Sequence, residues 1–289
     1  MSFHTIDDLA SLGAEVKLGV IGNPIAHSKS PQMQQAALNE AEQPYRYVRL
    51  LADTEEGAFE RLLDTLANRG FIGVNVTVPF KKKAFAAAVQ ADALSTLCGA
   101  ANTLVLKKDG WHCHNTDGPG FERAIHELGG QPLNNLRIVI LGACGGAGSA
   151  LAAQCALSNS PALTLINRPR PELENLATTL RPHTQGCIST CHFHTPEARL
   201  AVEQADLVVN ATSLGLQEGD ALPIPAEWLQ SGQMVYDIVT HATPLRQAAK
   251  EKGCRTDNGL GMLLWQGAFA FQHWFGSLPS VELMRTALQ

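Results

Sequence analysis

Two parts of this chain hold residue types that do chemistry at informative spacing. The first is Gly142-Ala-Cys-Gly-Gly-Ala-Gly148, which follows the apolar run Arg137-Ile-Val-Ile-Leu-Gly142 and precedes a helical pattern. Glycines at a strand-to-helix turn let the backbone close on a pyrophosphate, and the N–H groups of the helix start attract that anion. Gly142, Ala143, Gly145 and Gly146 are therefore candidate dinucleotide contacts, the alternative being a glycine loop that serves packing alone. The spelling is not a clean G-x-G-x-x-G: Cys144 takes the middle position, unless the loop holds one extra residue. The next strand ends at Asn167-Arg168-Pro169-Arg170. An acid at this place accepts from the ribose 2′-hydroxyl of NAD, whereas arginine suits the 2′-phosphate of NADP. Here Arg168 and Arg170 offer two guanidinium groups and no acid stands at the tip, so the expected cofactor is NADP; otherwise both are ordinary solvated loop residues.

The second part is spread over four segments at strand ends and turns: Ser28-Lys-Ser30, Asn75-Val-Thr-Val-Pro-Phe-Lys81, Asn102-Thr103 and Asn115-Thr-Asp117-Gly118. Each alone has a plain explanation. The serines cap a helix opened by Pro31, with Ser30 at the N-cap; Lys81 is one of three solvated lysines; Asp117 caps a helix or closes an Asx-turn.

The elements that must position these residues alternate short β-branched runs with longer helical patterns, the mark of α/β units with parallel strands. Strands are expected at 16–22, 45–51, 73–78, 137–142, 162–167, 206–210 and 233–237, and helices at 56–68, 81–97 and 149–157, with helix again from about Gly259. The fold class that follows is α/β in two domains: an N-terminal α/β domain with a mainly parallel sheet, and a Rossmann-type unit. The expected division is 1–119 for substrate and catalysis, with helices of 259–289 packing back on it, and 120–258 for the dinucleotide, the boundary near Gly118-Pro119-Gly120. A ligand then lies in the cleft between them.

Composition narrows the partners. With 289 residues, 45% hydrophobic and 17% charged, the chain reads as a soluble globular protein. A formal net charge of −5 speaks against nucleic acid. The start lacks the basic and apolar regions of a secretory signal, and no apolar run approaches the roughly 18 residues of a membrane span. Seven cysteines without a CxxC pair favour free thiols in a cytoplasmic protein. Cys187, Cys191, His192 and His194 crowd together but lack a second ligand pair at zinc spacing, so the segment is expected to be irregular and no metal is expected. The partner is a small molecule, with neither membrane nor nucleic acid, and the chain acts as a monomer or homodimer.

Taken together, the segments GNPIAHSKSP (22–31), NVTVPFK (75–81), GAANTL (99–104), NTDG (115–118), the glycine loop, NR (167–168), NATSLGL (210–216) and NGLGML (258–263) with Gln266 resemble the shikimate dehydrogenases, in order and over essentially the full length. The resemblance implies reversible NADP-dependent interconversion of 3-dehydroshikimate and shikimate. Oxidising a secondary alcohol moves a hydride to the nicotinamide and a proton to a base, and a lysine whose surroundings lower its pKa can take that proton. By this resemblance Lys81 is the acid/base group and Asp117 its partner, Ser28 and Ser30 bind the substrate carboxylate, and Thr77, Asn102 and Gln266 hold hydroxyls. Thr212 with its NATS segment lines the dinucleotide, and Gly259 and Met262 lie near the nicotinamide.

Two departures stand out. Gln34 and Gln35 occupy the places where the family carries histidine and asparagine after its Ser-Pro pair. After Tyr236-Asp237, Thr240-His241-Ala242-Thr243-Pro244 replaces a tyrosine that reaches the substrate and a loop about two residues longer. A lost phenol removes a hydrogen bond worth about 1 kcal/mol and enlarges the cavity. A quinate or quinate/shikimate dehydrogenase, with NAD as possible cofactor, is thus the runner-up. A catalytically silent dinucleotide-binding regulator is disfavoured, because a sensor has no use for an acid/base pair.

Overall fold

Val16–Gly22, apolar at nearly every position, is the first strand, β1, of the computed structural model, which describes residues 3–289. Helix α1 (Ser30–Glu40), β2 (Arg46–Leu51), α2 (Ala58–Asn68) and β3 (Gly73–Val76) follow, then α3 (Lys81–Ala87), β4 (Gln90–Ala91), α4 (Ala93–Cys98), β5 (Thr103–Lys107) and β6 (Gly110–His114). The strands form one sheet in the order β2-β1-β3-β5-β6-β4. β1 runs parallel to β2 and β3, while β5 is antiparallel to both β3 and β6. Strand alternation splits β2 between two cores. Val48 and Leu50 pack with Phe59, Leu62 and Phe80, whereas Tyr47 joins Leu18, Val20 and Met33 on the other face.

The single helix expected over 81–97 is broken in two. Val89 N donates to Trp111 O (2.8 Å), β4 pairs with β6, and the Asp92 carboxylate caps α4 by accepting from Ser95 N (2.7 Å). An edge pairing and an N-cap here outweigh the helical pattern of the alanine-rich stretch. Ser30 is likewise not the cap of α1: it is the first helical residue, Lys29 holds the cap position, and Ser28 Oγ accepts from Ser30 N (3.3 Å).

From Asp117 on a second pattern builds: α5 (Asp117–Gly129), β7 (Arg137–Leu141), α6 (Gly146–Leu157), β8 (Ala162–Asn167), α7 (Pro171–Leu180), β9 (Cys187–His192), α8 (Pro196–Gln204), β10 (Leu207–Asn210), β11 (Met234–Asp237), α9 (Pro244–Glu251) and β12 (Arg255–Asn258). All six strands are parallel, in the order β12-β11-β10-β7-β8-β9. The order reverses between β7 and β10, as in a Rossmann unit. The segment with Cys187, Cys191 and His192, expected to be irregular, is the edge strand β9. It pairs with β8 from Ala162↔Cys187 to Asn167↔His192. Among the described residues no group of three or more His, Cys, Asp or Glu side chains could hold a metal.

The chain ends with α10 (Leu260–Phe275) and α11 (Val281–Thr286). Contacts divide it into two units, one running up to Thr116 and resuming at Leu263–Gln289, the other Asp117–Met262. Leu264, Trp265, Ala268 and Phe271 of α10 complete the Tyr47 core of the first unit, and Trp274 Nε1 donates to Leu104 O (3.1 Å). Among the described residues no helix is long and apolar enough to cross a membrane.

One contact at the end of β6 makes a pH prediction. The His114 ring stacks on His273 of α10, centroids 3.8 Å apart, and His114 Nδ1 lies 3.4 Å from Asp92 Oδ2. Loss of hydration in the stack, reinforced by His114 and Lys107 against Asp92, pushes His273 down to about 4. The unfolded chain takes up this proton near pH 6.5 while the folded state resists it. The stability associated with His273 is therefore fully present above about pH 6.5 and is lost as the pH falls toward 4, and it is small because His273 is exposed beyond the stack and screened by solvent. Denaturant unfolding at pH 7 and pH 5 should show a shallower loss in His273→Gln than in the wild type.

Candidate active site

In the first unit, β1 and β3 end side by side and deliver two loops. Asn23 N donates to Val78 O (3.0 Å) and Thr77 N to Ile21 O (2.8 Å), which ties the serine loop to the NVTVPFK loop. The peptide bonds before Pro24 and Pro79 are both cis. Ser28 closes a turn through its N–H to Ile25 O (3.1 Å); its own carbonyl accepts from Arg49 Nε (3.1 Å) and Nη2 (2.6 Å). Thr77 and Lys81 are half-buried. Lys81 opens α3, and its carbonyl accepts from Ala101 N (2.9 Å). The three lysines differ in setting: Lys82 is exposed and the Lys83 ammonium lies over the Phe80 ring (5.9 Å).

Asn102 and Gln266, assigned to one pocket, do meet: Asn102 Nδ2 donates to Gln266 Oε1 (3.2 Å). The Asn102 carbonyl oxygen of the side chain accepts from Thr116 N (2.8 Å) and Thr116 Oγ1 (3.1 Å). Behind it, Asn75 Nδ2 donates to Asn102 O (3.2 Å) and Thr103 Oγ1 (3.1 Å), and Tyr47 Oη donates to Asn75 Oδ1 (2.7 Å). Burial raises the Tyr47 phenol well above its ordinary range, keeping it a neutral donor. The two glutamines that depart from the family are structural ties. Gln34 Nε2 donates to Gly267 O (2.9 Å), and Gln35 Oε1 accepts from Tyr47 N (3.1 Å). Asp117, buried, opens α5 of the second unit, one residue beyond the Thr116 that Asn102 holds.

In the second unit, Gly142 follows β7 at φ +83°, a conformation that L side chains resist. A Cβ on Gly148 would run into Gly142 O, so the first turn of α6 packs directly on the loop. Gly145 holds the N-cap position and α6 begins at Gly146, one turn earlier than expected. The loop therefore reads G-x-x-G-x-x-G, with one residue more than the dinucleotide fingerprint, and still aims a helix start outward. Ala143 is buried beneath it. Asn167 is buried at the end of β8, donating to Arg168 O (3.3 Å). Arg168 and Arg170 are exposed beyond it, Arg170 Nε lying 3.8 Å from Glu172 Oε2. A glycine-lined helix start with two exposed guanidinium groups at the next strand tip fits a dinucleotide carrying a 2′-phosphate.

The NATS loop is held by its own Asn210 and by Asp237, to which the sequence gives no role. Asn210 Oδ1 accepts from Thr212 N (3.1 Å) and Thr212 Oγ1 (2.7 Å), while its Nδ2 donates to Leu214 O (3.1 Å) and Asp237 Oδ1 (3.0 Å). Asp237 also accepts from Val239 N (3.1 Å) and Thr243 Oγ1 (2.7 Å), fixing both ends of the shortened 240–244 loop. His241 Nε2 lies 2.8 Å from Gly215 O, which braces that loop on the NATS segment. Gly259 N donates to Val239 O (3.1 Å), and Met262 N to Tyr236 Oη (3.0 Å), whose phenol burial keeps protonated. Asn210 and Asp237 carried a signal: each is the one polar residue closing an apolar parallel strand.

A Rossmann sheet with this loop and these arginines, joined to a separate α/β unit lined with hydroxyls, amides and a lysine, defines a dinucleotide-dependent oxidoreductase. Comparison with known proteins makes it specific. Residues 20–104 match the family description "Shikimate dehydrogenase substrate binding domain" and residues 259–289 "Shikimate 5'-dehydrogenase C-terminal domain". A shikimate dehydrogenase (NADP(+)) of Moorella thermoacetica is 37% identical over 275 residues, 94% of this chain and 92% of the relative. Among solved structures, shikimate 5-dehydrogenase of Listeria monocytogenes with shikimate and NAD is similar at TM-score 0.86 and 29% identity, covering 96% of this chain and 98% of that one. The Thermus thermophilus enzyme with NADP(H) and shikimate gives TM-score 0.80 at 33% identity, covering 94% and 98%. The chain belongs to the shikimate dehydrogenase family.

Removing the Asp237 carboxylate strands three buried donors. Asp237→Ala should lower unfolding stability by about 3 kcal/mol in urea titrations, with Asp237→Asn costing less because it keeps an acceptor.

Proposed function

We propose that this protein is a cytoplasmic, NADP-dependent shikimate dehydrogenase that interconverts 3-dehydroshikimate and shikimate. The observation that carries this reading is the buried Asn102–Gln266 amide pair, in the same unit as Lys81, in a chain that shares 37% identity with a shikimate dehydrogenase (NADP(+)). The seven cysteines, all free, support the cytoplasmic placement. Labour divides with the units: the first binds and activates the acid, the second holds the dinucleotide. NADP, when bound, supplies the hydride acceptor or donor.

Ser28 and Ser30 bind the substrate carboxylate with neutral donors, near the start of α1, whose dipole favours an anion. Thr77, Asn102 and Gln266 orient the ring hydroxyls; the Asn102–Gln266 bond sets those two amides in one orientation before substrate arrives. In oxidation the Lys81 amine would accept the hydroxyl proton of the carbinol, while bound NADP would supply the hydride acceptor. Asp117 keeps that amine aligned. Both transfers reverse in reduction. Gly142, Ala143, Gly145 and Gly146 would hold the pyrophosphate, Asn167, Arg168 and Arg170 the adenosine end, and Thr212, Gly259 and Met262 the nicotinamide end.

A second reading, a quinate-accepting enzyme, is favoured by one observation: Thr240 stands where the family's tyrosine is expected, and the His241–Gly215 brace holds the short loop in place.

Lys81→Ala should reduce turnover of shikimate by about 10²-fold or more; turnover within a few-fold of wild type would refute the acid/base role. Arg168→Ala should raise the KM for NADP⁺ about tenfold while leaving that for NAD⁺ nearly unchanged, since only the former carries the 2′-phosphate. Thr240→Tyr should tighten shikimate binding by roughly tenfold at most, the worth of one hydrogen bond. No change would place residue 240 outside the pocket.

A further inference from the structure

Strand β2 carries two arginines with opposite fates. Arg46 is exposed and lies 3.6 Å from Glu15, an ordinary surface pair. Arg49 is 8% exposed in the middle of an apolar run, at a position where the strand pattern calls for a hydrophobe. Arg49 stands two residues from Tyr47, so the two share a face of the sheet, the one covered by α1 and α10. Its Nε and Nη2 both donate to Ser28 O, at 3.1 and 2.6 Å.

Burying a guanidinium is costly, and burial lowers its pKa from the usual arginine value, the Tyr47 phenol partly offsetting this. A neutral amide could donate to the Ser28 carbonyl at far smaller cost. What a neutral amide cannot supply is charge. Ser28 and Ser30, the residues assigned to the carboxylate, offer only uncharged hydroxyls, and hydroxyls alone bind an acid and its ester with little preference. A cation anchored on the backbone of Ser28 changes that. Its field acts across a poorly screened interior on whatever the hydroxyl of the same residue binds. The α1 N-terminus, where Ser30 is the first helical residue, adds to the same field.

We infer that Arg49 is a specificity-determining positioning residue: it fixes the Ser28–Ser30 loop through Ser28 O and places a buried positive charge behind the two serine hydroxyls, so that the site selects a carboxylate over its uncharged counterpart. This rests on the assignment of the serine loop to the substrate's carboxylate. Tyr47 works beside it through Asn75, so alternate residues of β2 support the two halves of the substrate site: Arg49 the acid end, Tyr47 the hydroxyl end.

The test is calorimetric binding of shikimate and of its methyl ester to the full-length protein, as wild type, Arg49→Met and Arg49→Lys, with folding checked by circular dichroism. Arg49→Met should weaken shikimate about tenfold and the ester by less than about twofold, and Arg49→Lys should recover part of the loss for shikimate alone. Equal weakening of acid and ester, or a lysine variant no better than methionine, would overturn the inference and leave Arg49 a loop anchor. Should Arg49→Met fail to fold, the wild type decides. It should bind shikimate about tenfold or more tightly than the methyl ester, and equal affinity for the two overturns the inference. Turnover is measured separately. A wild type that binds shikimate in preference to the ester but does not oxidise it with NADP⁺ refutes the proposed reaction and leaves the role of Arg49 standing. A wild type that binds neither refutes both.

Discussion

The substrate half of this protein depends on one buried amide. Asn102 lies at the entry to β5, and its side chain reaches both the Thr116 backbone and the Gln266 amide of α10. These three residues are remote in sequence, and each carries, or adjoins, a group assigned to the reaction. Buried amides that find all their partners are stiff, because each broken bond leaves a polar group stranded in a water-poor interior. Asn75 and Tyr47 extend the network to β3 and β2. The amides are thereby held in one orientation, and Lys81, proposed as the acid/base group, stands on a helix whose first carbonyl is itself held by Ala101 N.

The dinucleotide half uses the same device with a charge at its centre. Asp237 is fully buried and collects an amide, a backbone N–H and a hydroxyl; Asn210 passes this order to Thr212. A buried carboxylate is tolerable only when its lone pairs are filled. Because its partners belong to two different loops, the loop shortened relative to the family and the NATS loop are set by one group.

Much of this was legible in the sequence. Strands β1 and β8 fall within the residues expected, since their apolar runs are bounded by Gly, Pro or Asn. The glycine loop, the two arginines and the motif segments were visible because turns and strand ends demand particular residue types. The edge strands β9 and β12 were not legible, although β2, also at an edge, was. β9 and β12 are polar and bury little on either face, so no period-2 pattern marks them. The β5–β6 hairpin did carry its signal, Asp109-Gly110 between two runs, but the second strand, Gly-Trp-His-Cys-His, buries only Trp111 and Cys113, too brief an alternation to stand out. Gln34, Arg49 and Asn210 gain meaning only from partners brought close by the fold: Gly267, Ser28 and Asp237 lie far along the chain or on another strand. Neither composition nor local periodicity encodes such pairings.

The central claim is that this chain moves a hydride between NADP and shikimate. The most direct measurement is the initial rate of reduced-nicotinamide formation by the purified protein, with shikimate or quinate crossed against NADP⁺ or NAD⁺. The account predicts strong turnover with shikimate and NADP⁺ and far weaker rates in the other three combinations. Preference for quinate, or no rate with either acid, would contradict it.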